Sequence, residues 1–155
     1  MPYASALLFH SLLRWAILAT GAMVVVRSAM GLTRGRPWGA WDRRAGVALL
    51  SCMDAQVLLG LVLYLFLSPV TPKSLADFHA SMAVAPLRFF AVEHPTGMLL
   101  ATIAVHTGWA LGKRAPADRD RHRRVLVGVL VALALIAVGV PWPWLSHGRP
   151  LVRGP

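Results

Sequence analysis

The chain is poor in residues that most soluble proteins need. Charged side chains make up only 14% of its 155 residues, and acidic ones number six. Soluble domains average roughly 25% charged. A soluble helical protein needs a polar face on every helix, and this composition does not supply one. Cysteine occurs once, as Cys52. That excludes an intrachain disulfide, and the lack of any Cys-x-x-Cys-His run excludes covalent c-type haem attachment. Cys52 lies within an apolar run and reads as a small buried hydrophobe. A basic leader with a small-residue cleavage site is also missing, and the first apolar run is too long for a signal peptide. It reads as a retained helix.

What remains is mostly apolar: 57% hydrophobic, with a mean hydropathy of +0.60. Four stretches stand out, at residues 6–30, 45–67, 89–111 and 125–144. At about 1.5 Å per helical residue, each spans or nearly spans a hydrocarbon core of about 30 Å. The expected fold is all-α: one domain, an integral membrane four-helix up-down bundle. The lipid bilayer is then its first partner.

Net charge is +10, and its placement sets an orientation. Arg34, Arg36, Arg43 and Arg44 crowd the first connection, residues 31–44. Lys113, Arg114, Arg119, Arg121, Arg123 and Arg124 crowd the third, residues 112–124. The second carries Lys73 and then Arg88. Cytoplasmic loops hold the excess of Lys and Arg, so the first and third connections face inward and both termini outward. No nucleic-acid-binding fold accompanies the charge, so no nucleic-acid partner is expected. Trp38 and Trp41 fall at one interface and Trp142 and Trp144 at the other, as belt anchors. The "PWPW" run also ends the fourth helix. In the second connection, Thr71 as N-cap and Pro72 behind it predict one short helix lying at the outer surface. Leu75, Phe78 and Met82 would share its apolar face, with His79 solvated.

Ionisable residues at membrane depth are costly and mark function by default. Those in the spans sort into two layers. His10 and His94 lie early in two helices that both enter from outside, so they share an outer depth, with Arg14 one turn below His10 and Glu93 beside His94. Asp54, Gln56 and His106 share an inner depth. His10 and His94 meet the requirement for a haem b, which needs two imidazoles approaching the iron from opposite sides. Arg14 could bind a propionate bidentately, and Gly21 and Gly97 would leave room for a macrocycle. The alternative is that both histidines only hydrogen-bond between packed helices. His106 follows His94 by a rotation of about 120°, which argues against a shared face. Pro95 either kinks that helix or marks its start. Asp54 and His106 could form an ion pair or proton relay, or with Gln56 simply tie helices together. Glu93 could take a quinol proton or cap its helix. Arg27, near the cytoplasmic end, reads as snorkelling.

"FHSLLRW", "QVLLGLVLY", "LRFFAVEHPTGM" and "PWPW" together resemble small four-helix bacterial membrane proteins labelled cytochrome b-like, across all four stretches. The resemblance implies a place in the bacterial inner membrane, haem b, and electron transfer with a quinone or a larger complex. It makes His10 and His94 the iron ligands, with His106 left over. The family carries a histidine two residues before the glutamine of helix two. Here that position is Asp54, which speaks against a second, inner haem. Two other readings follow from the residues. One is a haem-free accessory subunit of a respiratory or photosynthetic membrane complex, bound to other membrane subunits. The weaker one is a metal-handling protein using His10, His94 and Met98.

Overall fold

The computed structural model describes residues 2–152, and no strand occurs among them. Its helices are α1 (Pro2–Arg34), α2 (Ala40–Val62), α3 (Val70–Ala76), α4 (Phe78–Met82), α5 (Ala85–Arg88), α6 (His94–Lys113) and α7 (Asp118–Gly139). A π-helical turn, Leu63–Leu67, prolongs α2, and another, Phe89–Glu93, joins α5 to α6. Three segments, Pro2–Arg34, Ala40–Leu67 and Asp118–Gly139, are long and apolar enough to cross a membrane. The third apolar stretch yields α6, which is not among them. His94, Pro95, Thr96, Thr102, His106 and Thr107 dilute its hydropathy.

α1 packs on α2 and α7, while α6 packs closely on α7 and lightly on α2. α1 and α6 therefore stand diagonally. Ile17, Val24, Leu49, Met53, Val105 and Ile136 fill the space between. The α6–α7 seam is tightest at Gly108 and Gly128, where a Cβ on Gly108 would lie 2.8 Å from the Gly128 Cα. Small residues let two backbones approach this closely.

The second π turn has a local cause. Pro95 has no N–H, so the carbonyl four residues before it, that of Ala91, loses its helical donor. The Tyr64 hydroxyl donates to that carbonyl at 3.0 Å. This joins the end of α2 to the start of α6. Tyr64→Phe leaves the carbonyl unpaired, which costs about 1–3 kcal/mol. The expected result is a lower thermal midpoint in detergent with unchanged helix content by circular dichroism.

The connections differ from expectation. The first shrinks to residues 35–39, because α1 runs to Arg34 and turns at Gly35, whose φ of 64° suits glycine past a helix end. In the third, Arg119 to Arg124 lie on the first turns of α7 instead of in a loop. Asp118 and Asp120 share that first turn and offset the basic charge against the helix dipole. The second forms three short helices instead of one. Its first begins at Val70, so Thr71 is not its cap but a buried residue inside it. Asp77 then leaves helical geometry, and its carboxylate accepts from the Ala80 N–H at 3.0 Å. Leu75 and Phe78 thus belong to separate helices. His79 is exposed, as expected.

Candidate functional site

A cavity of about 710 Å³ opens at the end of the molecule where the first turns of α1 approach residues 149–150. Cofactor and small-molecule sites run to roughly 300–1,000 Å³. His10, Arg14, Gln56, Tyr64, His94 and Arg149 are among its polar lining residues. The two histidines reach it from the diagonal helices α1 and α6. Their ring centroids stand 6.2 Å apart, with the planes at 68°. Counting depth along two helices that enter from the same side predicted a shared height; that the rings face one another comes from the fold.

Each ring is held from a flanking helix. His94 Nδ1 is 2.6 Å from the Gly139 carbonyl at the end of α7. A carbonyl only accepts, so Nδ1 carries the proton and Nε2 keeps its lone pair. This is the pattern seen behind metal-bound imidazoles. His10 faces Gly60 of α2, where a Cβ would lie 3.3 Å from the His10 Cε1. Gly60, not Gly21 or Gly97, therefore gives the site its room. A Cβ on Gly21 would meet Leu133, and Gly97 faces open space.

The segment after α7 folds back over the site. Arg149 N–H donates to the Pro141 carbonyl at 3.0 Å, and the Arg149 guanidinium sits over the Phe90 ring. His147 stacks on Phe89 with centroids 3.8 Å apart. Ser11 donates to the Leu151 carbonyl at 3.2 Å, and Arg14 donates to the same carbonyl. Two guanidiniums, Arg14 and Arg149, thus line one cavity. Sequence reading found the first and missed the second, since nothing before the fold shows that the segment after α7 turns back onto Phe90 and the cavity.

The expected inner layer does not form as a unit. Gln56 belongs to the cavity and donates to the His10 carbonyl at 3.1 Å. Asp54 and His106 do meet, at 2.8 Å, but on the outside, with side chains 53% and 46% exposed. His106 takes no part in the cavity. Glu93 accepts from Arg88 at 2.6 Å and is exposed, so it does not line the cavity either. Arg27 does not simply snorkel. It donates to Asp42 at 3.1 Å.

Asp42 anchors a second polar cluster, at the opposite end. Its side chain is 2% exposed and accepts from Arg27, from both terminal nitrogens of Arg36 and from the Gly39 N–H at 2.8 Å. The Asp42 hydrogen bond holds the Arg36 guanidinium even more firmly protonated than usual. Beneath it His122, fully buried, donates from Nε2 to the Arg36 carbonyl at 3.1 Å. Trp38 lies on His122 and Trp109, so it is a packed ring and not a belt anchor. Both Asp42 and His122 escaped the sequence reading. The signal for Asp42 was present, because an acid three residues after a helix-starting glycine is half of a capping box.

Among the described residues, fold and site define an all-helical protein with three membrane-length apolar helices and a paired-histidine cavity at one end. Comparison with family models, curated proteins and solved structures returns no match. Among the described residues no group of three or more His, Cys, Asp or Glu side chains converges. The donors at the cavity are two imidazoles, fewer than the four of a closed structural zinc site.

Proposed function

We propose that the chain is a cytochrome b-like protein of the bacterial inner membrane that holds haem b between His10 and His94. In this reading α1, α2, α6 and α7 all cross the bilayer, with α6 carried by its neighbours. Residues 35–39 and the α6–α7 turn face the cytoplasm, and the cavity lies on the outer side.

The observation that carries the reading is the facing pair of imidazoles. An imidazole nitrogen sits about 2 Å from a metal it ligates, with the ring centre about 1 Å behind, so two rings on opposite sides of one metal have centres about 6 Å apart. The observed 6.2 Å fits, and the protonated His94 Nδ1 leaves Nε2 as the ligating atom. Arg14 and Arg149 suit the carboxylates of such a group, because guanidinium binds carboxylate bidentately. When bound, haem supplies one-electron chemistry, exchanged here with a quinol or with a larger membrane complex. The chain's own residues orient the ligands and exclude water.

The absorption spectrum is the test. The purified protein is expected to show a reducible b-type Soret and α band, and His94→Ala to lose it while keeping its helix content. A folded protein that takes up no haem on reconstitution refutes the reading and leaves the haem-free accessory subunit.

A further inference from the structure

The basic charge at the end opposite the cavity is unevenly balanced. Asp42 takes Arg27 and Arg36. On α7, Asp118 takes Arg121 and Asp120 takes Arg123. Arg124 donates to the Leu111 carbonyl at 3.1 Å. Arg34, Arg43, Arg44, Lys113, Arg114 and Arg119 are all exposed and, among the described residues, have no carboxylate partner.

Four of these side chains gather at one edge of the bundle. Arg43 and Arg44 lie in the first turn of α2, and Lys113 and Arg114 lie at the end of α6. The two helix ends are adjacent, because Gly46 lies against the Trp109 ring. Arg43 comes three residues before Gly46 and Lys113 four after Trp109, so at about 1.5 Å per residue they stand about 4.5 and 6 Å beyond that contact. A second contact fixes the side they share. Asp54 and His106 meet across the same two helices at 2.8 Å, on the outside. Arg43 is eleven residues from Asp54, and Lys113 is seven from His106. Both spacings fall within about 20° of whole turns at about 100° per residue. Arg43 and Lys113 therefore lie in the same outer groove as that pair, at its mouth. Within the groove Leu50 and Ala110 are half-buried and Val47 is exposed, all apolar. No carboxylate answers the two cations. Asp42 is 2% exposed and held by two guanidiniums. Asp54, about 16 Å along α2, is held by His106.

We propose that the mouth of this groove binds an anionic phospholipid of the cytoplasmic leaflet, with its phosphate between Arg43 and Lys113 and an acyl chain along Val47, Leu50 and Ala110. The inference rests on the membrane-spanning orientation proposed above. Two features select the occupant. Guanidinium and ammonium together suit a phosphate. The apolar groove that leads from them into the bilayer suits hydrocarbon attached to that phosphate. Basic pockets between membrane helices on the cytoplasmic side hold anionic headgroups in this way. Arg44 and Arg114, each next to one of the two cations, add attraction for net negative charge and so favour an anionic over a zwitterionic headgroup.

Native mass spectrometry of the whole chain in neutral detergent tests this, with dioleoyl phosphatidylglycerol and chain-matched phosphatidylcholine as probes. The parent is expected to retain a single phosphatidylglycerol and to prefer it to phosphatidylcholine. Arg43→Gln with Lys113→Gln should weaken that binding about thirtyfold, from the usual worth of two cations at an anionic surface. Either substitution alone, at about fivefold, decides the matter if the double variant fails to fold. Arg34→Gln with Arg119→Gln removes the same charge elsewhere and should leave binding nearly unchanged. Equal retention of the two lipids, equal losses in the two double variants, or displacement of the lipid by millimolar inorganic phosphate overturns the proposal. Carbonate extraction of native membranes separates the two readings. A chain released by carbonate sinks the membrane reading, whereas a retained chain without lipid preference sinks only this site.

Discussion

Replacing Asp42 by alanine is expected to destabilise the protein by about 3 kcal/mol, because removing one partner of a buried pair strands the others. Three groups lose their acceptor together: the Arg27 guanidinium, the Arg36 guanidinium and the Gly39 N–H. The value sits at the low end of the range for buried pairs because both arginines remain more than a quarter exposed and can turn to water. The damage should spread along a defined path. Arg36 also donates to the Arg27 carbonyl at 3.1 Å, and its own carbonyl receives His122. Once Arg36 is released, the connection that covers His122 and Trp38 loosens. Asp42→Asn keeps the shape and an acceptor for Gly39 and should cost less. Thermal unfolding in detergent measures both variants, and equal midpoints for Asp42→Ala and the parent would refute the anchoring role. The histidine cavity lies at the other end, so the proposed haem band of the parent should survive in whatever fraction remains folded.

Gly128→Val is the second large effect, expected at about 3 kcal/mol, the upper end of the usual cost of overpacking. A Cβ on Gly128 would lie 2.7 Å from the Ala104 carbonyl oxygen and 2.8 Å from the Gly108 Cα. Both obstacles are backbone, so no rotamer change relieves them and α6 must move away from α7. That shift also moves Gly139 relative to His94 and pulls at their hydrogen bond. Weakened binding at the cavity is therefore expected alongside the lower midpoint. Gly97→Ala is the matched control. Its Cβ meets nothing within 4 Å, and alanine favours a helix by about 1 kcal/mol, so no loss is expected. A Gly128→Val protein as stable as the Gly97→Ala one would refute the close-approach argument.

The parts of the site that were legible in the sequence follow from depth. His10 and His94 each lie early in helices that start on the same side, and helical rise converts that into a common height. Depth also placed Asp54 level with His106, which the 2.8 Å contact bears out. Facing was less legible. Gln56 lies two residues from Asp54, a rotation of about 200°, so the two could not share a face. The structure accordingly sends one to the cavity and the other outward. Arg149, Tyr64 and His122 were not found, because each acts on a partner far away in the chain.

The sequence by itself determined that this chain is helical, that apolar runs of membrane length dominate it, and which histidines stand at one height. Those properties depend on composition and on the fixed rise of a helix, which every residue carries locally. Only the tertiary structure decided which side of each helix turns inward. That choice made Asp42 and His122 an internal clasp, returned Arg149 to the cavity, and left Asp54 and His106 outside. It depends on how the helices pack against one another, through contacts such as Gly108 on Gly128 and Gly31 beneath His122. Such contacts join residues distant in the chain, so no local pattern encodes them.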